Sequence, residues 1–235
     1  MTETDAKKPD KITRTTLDNK LVLLHQYADT PPVVTIRLFL AAGSGLDPEG
    51  REGLAYLTAN LLTARTSNKF HREFNRFKSQ YGLTIGSSVY PDFTVFSFTC
   101  IEEHRENLLR TVKNLFSLSS VETDLFEQIK NKQLSSLASR RDQIRRVAID
   151  RGLEGFYGEH PYRHPPIGRP EAVEDLTLDD AKTFFNKFFS LDEAIVSAVG
   201  TLTGSELSDA FEPLTLPSES ATRPSGSPPS PDNDR

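Results

Sequence analysis

Apolar and polar residues alternate in short runs through the first part of the chain, and this period of two predicts strands over 12–17, 21–27 and 33–41. Asp18, Asn19 and Lys20 separate the first two, which predicts a hairpin. The third is rich in β-branched and aromatic residues and stops at Gly43-Ser44-Gly45-Leu46-Asp47-Pro48, a cluster of turn formers. There the period changes. Leu54, Leu57, Leu61 and Leu62 mark one face of a helix over 51–64. A second helix is predicted over 69–81, carrying Phe70, Phe74 and Phe77 and closing at Gly82. Strands over 83–90 and 93–101 follow, broken at Pro91-Asp92, and then helices over 104–116 and, as one long element, 122–157. A loop rich in proline and glycine over 158–168 leads to a helix over 178–189, opened by Thr177 with Asp179 and Asp180 in its first turn. A last strand over 194–200 and a short helix over 205–211 complete the pattern.

The ends differ from the middle. Residues 1–10 are polar and expected to fray, and residues 213–235 are filled with Pro, Ser, Thr and acidic residues. Such segments cannot offset their ordering entropy by burial, so 213–235 is expected to be a linker or tail, leaving 11–212 as the folded domain. At this size about 70% of the unfolded surface can be buried without help from metals or disulfides. The single Cys100 lies in an alternating strand among Phe96, Phe98 and Ile101, and its simplest role is as a small buried side chain.

Charge narrows the function classes. A net charge of −5 gives no electrostatic footprint for nucleic acid, and Arg140, Arg141, Arg145 and Arg146 are expected to form one solvated helix face. No stretch has the length and hydropathy to span a bilayer, and the first ten residues lack a signal-peptide core, so the default expectation is a cytoplasmic address, or a periplasmic one if a leader has been removed. His160 and His164 are four apart, but Pro161 and Pro165 prevent a helix there and no nearby Cys or Asp completes a metal set; structural turn histidines are expected. His25, His71 and His104 are isolated in sequence, with solvated or capping roles expected. Ser44 lacks the full surroundings of a hydrolase nucleophile, and no phosphate-binding or dinucleotide fingerprint is present.

Several motifs occur together in a fixed order. They are the turn at 43–48, the run Gly53-Leu54-Ala55-Tyr56-Leu57-Thr58-Ala59-Asn60-Leu61-Leu62, then Gly82, Gly86, Ser87, Asp92 and Thr94, and finally Gly158-Glu159-His160-Pro161-Tyr162 with Gly168. Over roughly 11–212 the chain resembles the N-terminal half-domain of the pitrilysin/insulinase (M16) metallopeptidases, which include the mitochondrial processing peptidase. The resemblance implies an α+β fold of the LuxS/processing-peptidase type, a two-layer sandwich with a mostly antiparallel sheet and helices on one face.

In that family the first helix reads H-x-x-E-H, and here those positions are Tyr56, Ala59 and Asn60; the later glutamate ligand falls near Ser136. Two histidines four residues apart supply two zinc ligands from one helix face, and the glutamate between them takes the proton from metal-bound water. A phenol, an amide and an alcohol are not ordinary zinc donors, and Ala59 has no titratable group. The expectation is no catalytic residues, no metal and no cofactor in this chain, with zinc only in a partner subunit. The resemblance implies a non-catalytic subunit or half-subunit that forms a chamber and binds unfolded peptide, with a zinc-bearing M16 homologue or a C-terminal half-domain as partner and peptide binding at Gly86, Ser87, Ser88 and Val89. The alternatives are a purely structural assembly subunit and an active zinc endopeptidase with unusual ligands. Gly86 has a simpler reading as a strand bulge.

Overall fold

A computed structural model describes residues 11–68, 82–113, 115–116 and 121–216. Six strands form one sheet: β1 (Thr13–Thr16), β2 (Val22–Tyr27), β3 (Val33–Leu40), β4 (Thr84–Val89), β5 (Thr94–Ile101) and β6 (Ile195–Gly200), in the order β1-β2-β6-β3-β5-β4. Every pairing is antiparallel except β2 with β6. β1 and β2 form the hairpin expected across Asp18, Asn19 and Lys20. Gly86 faces Ser97 and Ser87 faces Phe96 in unbroken register, so Gly86 does not mark a bulge.

The alternation read from sequence places one face of the sheet in the core. Val34, Ile36, Leu38 and Leu40 of β3, Phe96, Phe98 and Cys100 of β5 and Val196 and Ala198 of β6 are almost fully buried. Burial pushes the Cys100 thiol up to about 11, as befits a packing residue rather than a nucleophile. The helices supply the other layer: α1 (Leu54–Asn68), α2 (Arg105–Lys113), α3 (Thr123–Arg141), α4 (Ile144–Tyr157), α5 (Pro170–Glu174), α6 (Leu178–Phe188) and α7 (Gly204–Phe211). α1 packs on β4, α3 and α6, and Phe184, Phe189 and Phe211 join Phe96 and Phe98 in the same core. The opposite face of the sheet keeps Ile101, Ile195 and Val199 exposed.

Three expectations need correction. The long helix over 122–157 is two helices, broken at Asp142 and Gln143, where Gln143 leaves helical geometry at φ −96° and ψ 89°. The apolar spacing continues through the break, but it changes sides: α3 buries Leu125, Phe126 and Leu137, whereas no residue of α4 is buried. The four arginines are therefore not one solvated face. Arg140 forms a two-pronged bridge to Asp150 at 2.8 and 2.7 Å that folds α4 back against α3, and Arg141 reaches Glu171. His25 is also not solvated: it lies on the core face of β2, and its Nε2 lies 2.8 Å from the carbonyl of Leu202. The helix expected over 69–81, His71, and the terminal segments 1–10 and 217–235 lie outside the described residues.

Candidate functional site

The site is built where α1 begins. The Asp47 carboxylate accepts from the backbone N–H groups of Gly53 and Ala55, both at 2.8 Å, and so satisfies donors that the first turn of a helix leaves without partners. Burial pushes the Asp47 carboxyl up to about 8; the Gly53 and Ala55 donors oppose that rise and the nearby Glu52 charge adds to it.

Two glycines then let three segments meet. Gly168 has φ +86°, and a Cβ there would lie 2.1 Å from the Glu52 carbonyl oxygen; Gly53 has φ +103°, and a Cβ there would lie 2.8 Å from Gln133 Nε2. Into this joint Gln133 of α3 donates from Nε2 to the carbonyls of Gly53 at 3.1 Å and Ile167 at 2.8 Å. Ser44, the residue weighed as a nucleophile, is buried just upstream, and its N–H donates to the Tyr90 carbonyl at 2.9 Å. His160 accepts from the N–H of Tyr162 to cap a short turn. His164 is buried beside the Pro165 carbonyl, and that burial lowers its pKa.

The joint fixes α1 beside α3 with β4 along their flank, and a cavity of about 360 Å³ lies among the three. Tyr56, Asn60, Ser136, Gly86 and Ser87 line it, so residues picked out at widely separated points of the sequence share one space. Ser88 and Val89 continue β4 without lining the cavity, and Ala59 faces the core, fully buried. Sequence reasoning missed Lys132 and Gln133, which also line it. Gln133 carried a legible signal, because it takes a place in the apolar series Phe126, Ile129 and Leu137.

The donors in this cavity do not suit zinc. One Asn60 amide hydrogen is committed to the Tyr56 carbonyl at 2.8 Å, and the Ser136 hydroxyl donates to the Lys132 carbonyl at 2.9 Å. The positions offer a phenol, an amide and an alcohol, and a charged residue that lines the cavity with them, Lys132, is a cation. Among the described residues no group of three or more His, Cys, Asp or Glu is placed to hold a metal ion. What the cavity offers is a polar, cationic surface next to β4, the outermost strand of the sheet among the described residues.

α4 presents a second feature. Its polar side faces inward, with Asp150 bridged to Arg140 and Glu154 to Arg151 and Arg169. Its outward side carries Ile149, Gly152 and Phe156, all exposed, with Ile144 86% exposed at its start. No residue of α4 is buried, but the half-buried Asp150 and Glu154 face its neighbours while Ile149 and Phe156 are open to solvent, an unusual placement for a surface helix.

Residues 22–166 match the sequence profile of insulinase (peptidase family M16). The non-peptidase homolog YmxG of Helicobacter pylori is 20% identical over 78% of this chain and 42% of its own length. The β subunit of the mitochondrial-processing peptidase of Neurospora crassa is 19% identical over 90% of this chain and 46% of its own. A peptidase M16 inactive domain from Pseudomonas fluorescens superposes with a TM-score of 0.82 at 23% identity, covering 93% of this chain and 54% of that one. The chain thus spans about half the length of the curated relatives it matches. Among the described residues no helix is long and apolar enough to cross a membrane.

Proposed function

Because the chain belongs to the insulinase family of peptidases, family M16, we propose that it is a non-catalytic unit of that family, which forms part of a chamber and holds unfolded peptide for a zinc-bearing partner. The observation that carries this reading is the cavity between α1, β4 and α3, whose lining brings together Tyr56, Asn60 and Ser136, the residues the resemblance aligns with the family's zinc ligands, and Lys132. The scaffold is retained and the donors for zinc chemistry are not.

Two further features support it. β4 pairs only with β5 among the described residues, leaving one edge open to an extended peptide, which can add as another strand through main-chain hydrogen bonds that tolerate many sequences. Gly86, Ser87, Ser88 and Val89 are that strand's peptide-binding stretch in this reading. The outward apolar side of α4 and the uncovered sheet face with Ile101, Ile195 and Val199 suit contact with a second M16 unit, either a C-terminal half-domain or a separate zinc-bearing homologue.

The test is to mix the chain with a zinc-bearing family member and follow cleavage of an unstructured peptide. Cleavage above that of the zinc-bearing protein alone supports the partner role. Assembly with no change in cleavage replaces it with a purely structural one.

A further inference from the structure

We propose that the cavity between α1, β4 and α3 is a binding site for a peptide carboxylate, so that the vacated metal position reads an acidic group on the bound chain. The inference rests on the reading of β4 as a peptide-binding edge and adds the chemistry of what is recognised there.

Gln133 supplies the first argument. It is 2% exposed, and its Nε2 serves two carbonyl oxygens, which fixes the orientation of the amide. Gln133 lines the cavity, and its Oε1 is buried without a partner. A buried acceptor with no donor is costly, and a bound N–H relieves it. Ser87 supplies the second argument from the opposite wall: its Oγ, on the inner side of the edge strand, is also buried and without a partner.

Charge decides the ligand class. Among the described residues no Asp or Glu lines the cavity and Lys132 makes no ion pair. A neighbouring cleft of about 460 Å³ shares Lys132 and Ser136 and runs along α3 to Arg146, again with no acidic lining residue among the described ones. The set therefore offers an ammonium and hydroxyls to an anion, and one buried acceptor to an N–H. A carboxylate attached to a peptide N–H meets both demands. Inorganic phosphate, which keeps an O–H at neutral pH, meets both as well, and it is the adjoining edge of β4 that favours a carboxylate carried on a peptide. The volume, at the small end of the roughly 300–1,000 Å³ range of ligand pockets, suits one residue rather than a large ligand. Two sources share this chemistry: a peptide C-terminus, and an Asp or Glu side chain within the strand.

The experiment measures binding of fluorescent unstructured peptides to the whole chain by anisotropy. One peptide has a free C-terminus and no internal acid, the second is the same peptide amidated, and the third is amidated with a single internal Asp. The expected result is that one or both carboxylate-bearing peptides bind about tenfold more tightly than the amidated one, and that Lys132→Ala removes this advantage while leaving amidated binding unchanged. Which peptide gains identifies the source. Equal binding of all three overturns the inference but leaves β4 as a peptide edge, as does a carboxylate preference that survives Lys132→Ala. Displacement of the peptide by millimolar phosphate also overturns it, since a plain anion site would then account for the cavity. If no peptide binds at all, the reading of β4 fails together with the inference.

Discussion

The side-chain amide of Gln133 donates to the carbonyl of Gly53 at 3.1 Å, across 80 residues of sequence, and so ties the middle of α3 to the first turn of α1. The same nitrogen holds the Ile167 carbonyl at 2.8 Å. Truncation to alanine removes both bonds and leaves a void at a fully packed joint. Gln133→Ala is expected to lower unfolding stability by about 2 kcal/mol, read as a shift of the urea midpoint. A change within error would show that the joint does not depend on this amide.

The apolar side of α4 faces away from its own domain, so charging it should spare the fold. Ile149→Asp together with Phe156→Asp is expected to change stability by less than about 0.5 kcal/mol while preventing assembly with a zinc-bearing M16 protein, measured by thermal unfolding and size-exclusion chromatography. Undiminished assembly would place the contact elsewhere.

α7 is opened by a reciprocal cap in which Thr203 and Glu206 bond each other's backbone N–H, and Arg105 of α2 reaches the same carboxylate. The Thr203 N–H, foremost, holds the Glu206 carboxyl below its ordinary value, with the Thr203 hydroxyl and Arg105 helping and partial burial opposing. A depressed folded pKa contributes stability that is present above the unfolded value and lost as pH falls through the folded one. Glu206→Ala is accordingly expected to cost about 1 kcal/mol at pH 7, with the difference from the parent closing at pH values below the ordinary 4.5. Unfolding curves from pH 7 to pH 3 check the sign; a gap that widens toward acid contradicts it.

Tyr56, Asn60 and Ser136 share one cavity, so placing zinc donors at those points should produce a metal site. The variant combining Tyr56→His, Asn60→His and Ser136→Glu is expected to take up one zinc per chain in a metal-titration assay. Ala59 is left unchanged because it is fully buried, and a carboxylate there would carry a desolvation cost. Failure to bind zinc would mean that the three positions do not converge as described.

Most strands and several helices were legible because burial of one face imposes its period on the sequence. β3, with Val34, Ile36, Leu38 and Leu40 inward, and α1, with Leu54, Leu57, Leu61 and Leu62 inward, show this directly. The break between α3 and α4 was not legible, because apolar residues continue at helical spacing on both sides and only tertiary packing turns those of α4 outward. The burial of His25 depends on Leu202, which lies 177 residues away and on no local pattern. At the site, the motif frame pointed to Tyr56, Asn60 and Ser136. Lys132 is one of several exposed lysines and arginines on the helices, and Gln133 is a lone polar residue in a buried series, so only the meeting of α1, β4 and α3 marks them as part of the site.

The proposed non-catalytic role requires that this chain hold no zinc of its own. Zinc content of the purified chain, measured by elemental analysis after equilibration with zinc and removal of the free ion, tests it most directly. The expected result is no stoichiometric zinc; one zinc retained per chain would contradict it.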